Sequence, residues 1–127
     1  MKDIRIALLD MNNNHVNQGF RNIKEISEAF QHNSEENVVI KTFDVRFKDE
    51  MPEIEDFDIF ISSGGPGNPH REGLAWEDRF AHFLDSVLEH NKFSEDKKYL
   101  FLICHSFQLA SIHWNLGNIC KRKSYSF

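Results

Sequence analysis

The sequence has little cysteine and no long apolar run. Two cysteines in 127 residues are too few for a disulfide framework, which indicates a reducing compartment. The apolar runs span only a few residues each, too short to cross a bilayer, and the N-terminus has no apolar core of a signal peptide. We therefore expect a soluble, cytoplasmic protein without a membrane partner.

Positive charge is scarce as well. The chain has 15 lysine and arginine residues against 20 acidic ones, and its net charge of -5 argues against a nucleic-acid-binding surface. The basic cluster at 121–123 is short, and we interpret it as a solvated turn. With 40% hydrophobic and 28% charged residues, the composition is that of an ordinary globular protein, and the length suits one domain.

The residues that are present alternate between strand and helix patterns. Short apolar, β-branched segments predict strands at 4–9, 37–45, 57–62 and 99–103. Apolar residues at three- and four-residue spacing predict helices at 16–30, 74–90 and 107–116. Such alternation, joined by right-handed crossovers, predicts an α/β fold with a doubly wound, flavodoxin-like, mostly parallel sheet in three α/β/α layers and strand order 2-1-3-4.

Each predicted element also has an expected environment. The strand at 37–45 alternates partly, as at a sheet edge, whereas the strand at 99–103 is apolar throughout and should be fully buried. Gly117 suits the C-cap of the third helix. The core-facing stripe of the first helix comprises Phe20, Ile23, Ile26, Ala29 and Phe30. The buried face of the second comprises Trp76, Phe80, Phe83, Leu84, Val87 and Leu88.

Cys104 stands where the last predicted strand stops and helix-forming sequence begins. Ligands bind at the carboxyl edge of a parallel sheet, and the N-terminus of the next helix favours thiolate over thiol. This strand, sharp turn and helix form the geometry of a nucleophile elbow. The alternative interpretation is a buried, inert cysteine that packs as a small hydrophobe.

A glycine-rich loop follows the third predicted strand. Three of the six glycines and two of the three prolines lie between Gly64 and Pro69, so the backbone there can approach a ligand closely. Because the loops after strands one, three and four open on one edge, we expect this loop beside Cys104, where its N–H groups can stabilise an oxyanion. A chain-reversing turn and a phosphate cradle are the alternatives, although the loop lacks the Lys-Ser/Thr pair of a cradle.

Two motifs in this order carry a family resemblance. Ser62-Ser63-Gly64-Gly65-Pro66-Gly67-Asn68-Pro69 and Ile103-Cys104-His105-Ser106-Phe107-Gln108-Leu109-Ala110, followed by Leu116-Gly117, resemble those of the class I (triad) glutamine amidotransferases. The nearest likeness is to the glutaminase domain of GMP synthase and its stand-alone relatives. The loop from Asp10 to Asn14 is similar to the family's opening loop, so the resemblance covers residues 1–127 as one amidotransferase-like domain.

The resemblance implies a role for five residues. Cys104 would attack the side-chain amide of glutamine, form a γ-glutamyl thioester and release ammonia. The backbone N–H groups of Gly65 and His105 would form the oxyanion hole, Gly67 would shape the glutamine pocket, and Gln108 would contact the substrate. No cofactor or metal is implied, and the ammonia would pass to a synthetase domain or subunit.

The chain also departs from the family pattern. Leu102 and Ser106 occupy positions where the family usually has glycines, and these side chains are expected to narrow the pocket or loosen the turn. The family's downstream His-x-Glu pair is absent, so we expect the chain to be the N-terminal portion of a longer domain. The upstream pair His70 and Glu72 is interpreted as a solvated turn, with replacement of the missing base as the alternative.

The remaining histidines show no metal-ligand spacing, and we interpret them as surface or half-buried residues: His15, His32, His82, His90 and His113. Cys120 is interpreted as structural, and Trp76 and Trp114 as core or interface residues. The His105 side chain should point away from the site, because the residue after an elbow nucleophile contributes its N–H.

Three hypotheses of function follow. The first is an active enzyme, either a glutaminase that supplies ammonia or a γ-glutamyl hydrolase or peptidase of the same fold. The second is a catalytically inactive, amidotransferase-like binding module whose pocket is altered by Leu102 and Ser106. The third is an unrelated flavodoxin- or receiver-like domain, in which the Cys104 turn would have no purpose.

Overall fold

Four strands alternate with three α-helices in the computed structural model, which describes residues 3–118 and residue 120. The elements are β1 (Asp3–Asp10), α1 (Gln18–Asn33), β2 (Asn37–Asp44), a 3-10 turn (Ile54–Asp56), β3 (Ile59–Ser62), α2 (Ala75–Phe93), β4 (Tyr99–Leu102) and α3 (His105–His113). All seven strands and helices predicted from the periodicity are present. The basic cluster at 121–123 lies outside the described residues.

The sheet is parallel throughout, in the order β2-β1-β3-β4, which confirms the predicted order. Strand β1 is central and pairs with β2 from Asp3 to Asp10. At the carboxyl edge Ser62 of β3 stands opposite Leu9 of β1 and Leu102 of β4. The loops that follow β1, β3 and β4 therefore leave the sheet side by side.

The two faces of β1 belong to different cores, because successive side chains of a strand point in opposite directions. Ala7 and Leu9 pack in the larger cluster with residues of α2 and α3. Ile6 and Leu8 pack in a smaller cluster with Phe20 and other residues of the α1 side. Burial on both faces is typical of a central parallel strand, and no helix of the described residues has the length and hydropathy to cross a membrane.

Helix α2 has almost the buried face that its spacing predicted. Trp76, Phe80, Phe83, Leu84 and Val87 are buried, as predicted. Leu88 is 46% exposed, and its predicted burial is wrong. The buried residues recur at three- and four-residue steps, and Leu88 lies about 100° round the helix from Val87, outside that stripe.

Helix α1 buries a different stripe from the predicted one. Phe20 and Ile23 pack against the strands, and Ser27 is buried. The rest of the predicted stripe is exposed, which corrects its expected burial: Ile26, Ala29 and Phe30. Ile26 and Phe30 lie about 60–100° round the helix axis from Ser27.

Strand β4 is an edge strand, and its predicted full burial is wrong. Tyr99 and Phe101 are 59% and 57% exposed, whereas Leu100 and Leu102 pack against the larger core. Apolar composition indicated burial on both faces, but the face that carries Tyr99 and Phe101 is open to solvent. Among the described residues β4 pairs only with β3.

Helix α3 starts and ends earlier than predicted. It begins at His105, directly after Cys104, and stops at His113. Asn115, with φ 55°, takes the left-handed conformation that terminates the helix. The N–H of Leu116 donates to the carbonyl of Ser111 over 2.8 Å, and the N–H of Asn115 to Ile112 over 3.1 Å. Gly117 is therefore not the C-cap.

Candidate active site

Cys104 occupies a strained turn between β4 and α3. Its backbone has φ 52° and ψ -109°, a conformation that side chains with a Cβ rarely adopt. Two backbone hydrogen bonds close the turn, from Ser106 N–H to the Ile103 carbonyl (3.2 Å) and from Gln108 N–H to the Cys104 carbonyl (2.9 Å). The residue is exposed, so the burial expected in the alternative interpretation is wrong.

The glycine loop, residues 64–67, lies directly against this turn. A Cβ built on Gly64 would stand 3.1 Å from the Cys104 Cβ and 3.8 Å from its Sγ. A Cβ on Gly65 would stand only 2.1 Å from the Met11 carbonyl oxygen. Side chains are therefore excluded where the loop passes between the ends of β1 and β4, which is why this stretch of backbone can lie so close to the thiol.

Two backbone donors near the Cys104 turn have no partner in the described part of the chain. The N–H groups of Gly65 and His105 donate to no group of the residues that the structure describes. One belongs to the residue after Cys104, and the other to the residue after Gly64, which contacts Cys104. Free N–H groups beside a nucleophile are what an oxyanion hole requires.

The thiol opens into a cleft of about 590 Å³. Its wall consists of the ends of β1, β3 and β4 and the first turns of α1: Asn12, His15, Asn17, Gly19, Phe20, Ile23, Ser63, Gly64, Gly65, Pro66, Ile103 and Cys104. We call this the Cys104 cleft. Its volume is typical of a small-molecule site. His15 and Cys104 are the titratable residues of this lining.

His105 keeps its side chain out of the cleft, as the sequence predicted. The ring is 2% exposed, and its Nε2 lies 3.3 Å from the carbonyl oxygen of Asn68. It packs beside Trp76, with ring centroids 6.5 Å apart. Burial lowers the pKa of His105, and the nearby charge of Arg46 lowers it further against the opposing hydrogen bond to Asn68.

Gly67 and Gln108 are not in the lining of the Cys104 cleft. Gly67 has φ 111°, and a Cβ on it would stand 3.6 Å from Nη2 of Arg46. Gln108 is half-buried on the second turn of α3. The structure thus brings together Cys104, Gly64 and Gly65, and the substrate contacts of Gly67 and Gln108 remain predictions.

Ser106 has a definite role in the structure. Its hydroxyl is fully buried, lies 2.6 Å from the hydroxyl of Ser62 and donates to the carbonyl of Ser63. The Ser63 hydroxyl in turn accepts the N–H of Met11 (3.0 Å) and donates to the carbonyl of Gly64 (2.8 Å). These bonds tie the Cys104 turn to the glycine loop and to the end of β1.

The expected effect of the two departures from the family pattern is therefore not seen in the cleft wall. Ser106 faces the buried hydroxyls of β3, and Leu102 packs against the larger core. Neither residue lines the Cys104 cleft. A hydroxyl at 106 also adds hydrogen bonds that a glycine there would lack, so it secures the turn.

The upstream pair His70 and Glu72 is not in the cleft lining either. His70 is exposed, and the N–H of Glu72 donates to the Glu77 carboxylate at the start of α2 (3.0 Å). The Nε2 of His113 lies 2.9 Å from a carboxylate oxygen of Asp85 on α2. Cys120 is exposed.

Arg46 and His15 are the site neighbours that the sequence gave no reason to select. Arg46 lies in the connector after β2, and its Nη1 donates to the carbonyls of Met11 (3.2 Å) and Pro66. His15 follows two residues in the left-handed conformation, Asn13 and Asn14, which turn the chain back toward the cleft. In the sequence, both looked like ordinary surface residues of loops.

No family model, curated protein or solved structure matches this chain. Its function is therefore argued from the geometry of the site. Within residues 3–118 and 120, no cluster of three or more His, Cys, Asp or Glu side chains could hold a metal ion.

Proposed function

We propose that this chain is a cysteine-dependent glutaminase of the class I amidotransferase type, acting in the cytoplasm. It hydrolyses the side-chain amide of glutamine and delivers ammonia to a synthetase domain or subunit. The observation that carries the proposal is the exposed Cys104 in a positive-φ turn at the start of a helix, in contact with a glycine loop. The two cores on opposite faces of β1 support a three-layer, flavodoxin-like arrangement.

The geometry supports the first half of the reaction directly. The Cys104 Sγ attacks the amide carbon, the carbonyl π electrons move to oxygen, and the N–H groups of Gly65 and His105 stabilise that oxyanion. The leaving nitrogen takes up a proton from solvent, which balances the proton that the Cys104 thiol released on ionising. The intermediate then collapses, the C–N bond breaks, and ammonia leaves as a γ-glutamyl thioester forms. Removal of one oxyanion donor typically lowers such a rate by about 10²–10³-fold.

Deacylation needs a water activated by a base, and this half has less support. His15 is the imidazole in the lining of the Cys104 cleft, and it has no ordered carboxylate partner among the described residues. We therefore propose that in residues 1–127 Cys104 becomes acylated by the substrate. Hydrolysis of the thioester is slow, so the thioester accumulates.

The γ-glutamyl hydrolase or peptidase alternative uses the same thiol and the same oxyanion hole. Apart from His15 and Cys104, the lining of the cleft is uncharged, and it includes Phe20, Ile23 and Ile103. Glutamine and a γ-glutamyl peptide both carry a free α-ammonium and a free α-carboxylate, which need polar partners when desolvated. The labelling test below therefore separates the two substrates. The inactive-module hypothesis loses its argument, because Leu102 and Ser106 leave the cleft open.

The test uses a glutamine analogue with an electrophilic diazoketone, and intact-mass measurement of the adduct. We expect one adduct on the wild type, on Cys104, at a rate at least about tenfold above that of Cys120, which is also exposed. Cys120→Ser should label normally and Cys104→Ser should not. Protection by glutamine indicates a glutaminase, and protection by a γ-glutamyl dipeptide alone indicates the peptidase. Equal, slow labelling of both cysteines contradicts the proposal.

A further inference from the structure

Arg46 reaches from the connector after β2 to the glycine loop. Its neighbour Val45 is fully buried and donates its N–H to the Asp10 carbonyl (3.1 Å), so the backbone that carries Arg46 is fixed to the end of β1. From there Nη1 donates to the Met11 carbonyl over 3.2 Å and also to the Pro66 carbonyl. One guanidinium nitrogen thus joins the loop after β1 to the loop after β3.

These two carbonyls enclose Gly65. The Met11 oxygen lies against the Gly65 Cα, where no Cβ would fit, and Pro66 is the next residue in the chain. The Arg46 Nη1 also lies 3.4 Å from the position that a Gly65 Cβ would take. Gly65 is therefore held between the end of β1 and the guanidinium.

The guanidinium is itself held in place by an aromatic ring. It lies over Trp76, 4.6 Å from the ring centroid, and His105 packs beside the same ring. Arg46 and the residue after the nucleophile therefore share one support, on α2. This contact orients the guanidinium plane toward the glycine loop.

The arrangement is not the one that stability alone would favour. The Arg46 Nε is buried and has no hydrogen-bond partner among the described residues. A buried donor without a partner lowers stability. No carboxylate pairs with the Arg46 side chain within the described residues, whereas Arg5 at the opposite end of the sheet pairs fully with Asp58.

We infer that Arg46 is a positioning residue that fixes the Gly65 N–H as an oxyanion donor beside Cys104. The inference rests on the oxyanion hole of the proposed function and names a residue outside the cleft that maintains it. An oxyanion donor is effective only within a few tenths of an ångström of its required position. Loss of the clamp should therefore lower the rate of reactions that pass through an oxyanion, and leave other reactions of the thiol unchanged.

Two reagents separate these cases in the full chain carrying Cys120→Ser. With 4-nitrophenyl acetate, the Cys104 thiolate attacks the carbonyl carbon, the oxyanion collapses, and a thioester forms as 4-nitrophenolate leaves. With iodoacetamide, the same thiolate displaces iodide at a saturated carbon and no oxyanion forms. The ratio of the two second-order rate constants reports the oxyanion hole independently of how much thiolate is present.

We expect Arg46→Ala to lower the acylation rate about tenfold while the alkylation rate changes less than twofold. Arg46→Lys keeps one donor nitrogen and the charge. Its ratio of acylation rate to alkylation rate should therefore fall between those of Arg46→Ala and the wild type. Arg5→Ala is the matched control, because it removes an arginine with several hydrogen bonds from the opposite end of the sheet. Its ratio should equal that of the wild type.

The outcomes separate the inference from the function on which it rests. A wild-type Cys104 that acylates no faster, relative to alkylation, than glutathione overturns the proposed function. A wild type with a raised ratio, together with an unchanged ratio in Arg46→Ala, overturns only the role of Arg46. If Arg46→Ala fails to unfold cooperatively in urea, Arg46→Lys decides: a lowered ratio supports the inference and an unchanged ratio overturns it.

Discussion

The two ends of the parallel sheet differ in whether their polar groups are paired. At the amino end, Arg5 meets Asp58 through its backbone N–H (2.9 Å), Nε (3.2 Å) and Nη2 (3.0 Å). Burial alone would raise the pKa of Asp58, but these bonds and the Arg5 charge outweigh it and hold the pKa below its usual value. At the carboxyl end, the N–H groups of Gly65 and His105 have no partner within residues 3–118 and 120, and Cys104 keeps a strained backbone.

The amino end therefore has the features of a stabilising contact, and the carboxyl end has the features of a reactive site. The amino end satisfies its charges, as a structural contact should. The carboxyl end retains strain and free donors, and each of these lowers stability unless a ligand uses it. The buried serines around Ser106 stabilise this end through hydrogen bonds that do not involve the free N–H groups. Four sets of variants test this difference between the two ends of the sheet.

Gly65→Ala should lower the free energy of unfolding by about 3 kcal/mol, because its Cβ would stand 2.1 Å from the Met11 carbonyl. Gly117→Ala is the matched control, since nothing lies within 4 Å of the Cβ built there. Urea denaturation measures both. An unaffected Gly65→Ala would show that the loop does not pack against β1 in this way.

Ser106→Ala should lower the free energy of unfolding by about 2 kcal/mol, since it leaves buried partners unpaired at Ser62 and Ser63. Arg5→Ala removes a partly exposed ion pair and should lower it by about 1 kcal/mol. The labelling rate of Cys104 by the diazoketone should fall only in Ser106→Ala. A parallel fall in Arg5→Ala would mean that the two ends are coupled.

Cys104→Gly should raise the free energy of unfolding by about 1 kcal/mol, because glycine adopts φ 52° and ψ -109° without strain. Cys104→Ala keeps the Cβ and serves as the control, with no gain expected. Thermal and urea unfolding of the three proteins gives the comparison. A less stable glycine variant would show that the turn is not strained.

The smallest effect concerns pH. Burial lowers the pKa of His105 in the folded protein, so the unfolded chain binds the proton more tightly. Its contribution to stability is complete above about pH 6.5 and is lost as the pH falls below that value. Asp58, whose folded pKa is also lowered, acts in the same direction only below about pH 4.

Urea titrations at pH 7.5 and pH 5.5 measure this difference. We expect His105→Gln to be less sensitive to this change of pH than the wild type, and Asp58→Asn to be as sensitive as the wild type. The reverse result would place the acid-sensitive contact at the amino end of the sheet.

Periodicity was enough to predict the strands and the helices, because each depends on local spacing of apolar residues, and right-handed crossovers between them then predicted the order of the sheet. It also placed Cys104 and the glycine loop together, since parallel strands end on one edge. It failed for β4 and for Ile26, whose exposure depends on what packs beside them. Apolar character says that a side chain can be buried, and the neighbours decide whether it is.

The contacts of Arg46 and Ser106 could not be predicted from the sequence. Arg46 meets Met11 across 35 residues, and Ser106 meets Ser63 across 43. A lone arginine in a connector and a serine in a first helical turn are ordinary in sequence, and only the fold shows what they hold. The roles of Gly67 and Gln108 are still predictions for the same reason, because their partner would be the substrate.

Trp76 gives this arrangement an optical reporter. It is 9% exposed and lies between the guanidinium of Arg46 and the imidazole of His105. The chain has one other tryptophan, Trp114, which donates to Asp85 on the outer side of α2 (3.0 Å). In Trp114→Phe the intrinsic fluorescence would arise from Trp76 alone. A ligand that moves the glycine loop, or a proton that reaches His105, would then change the emission without any added label.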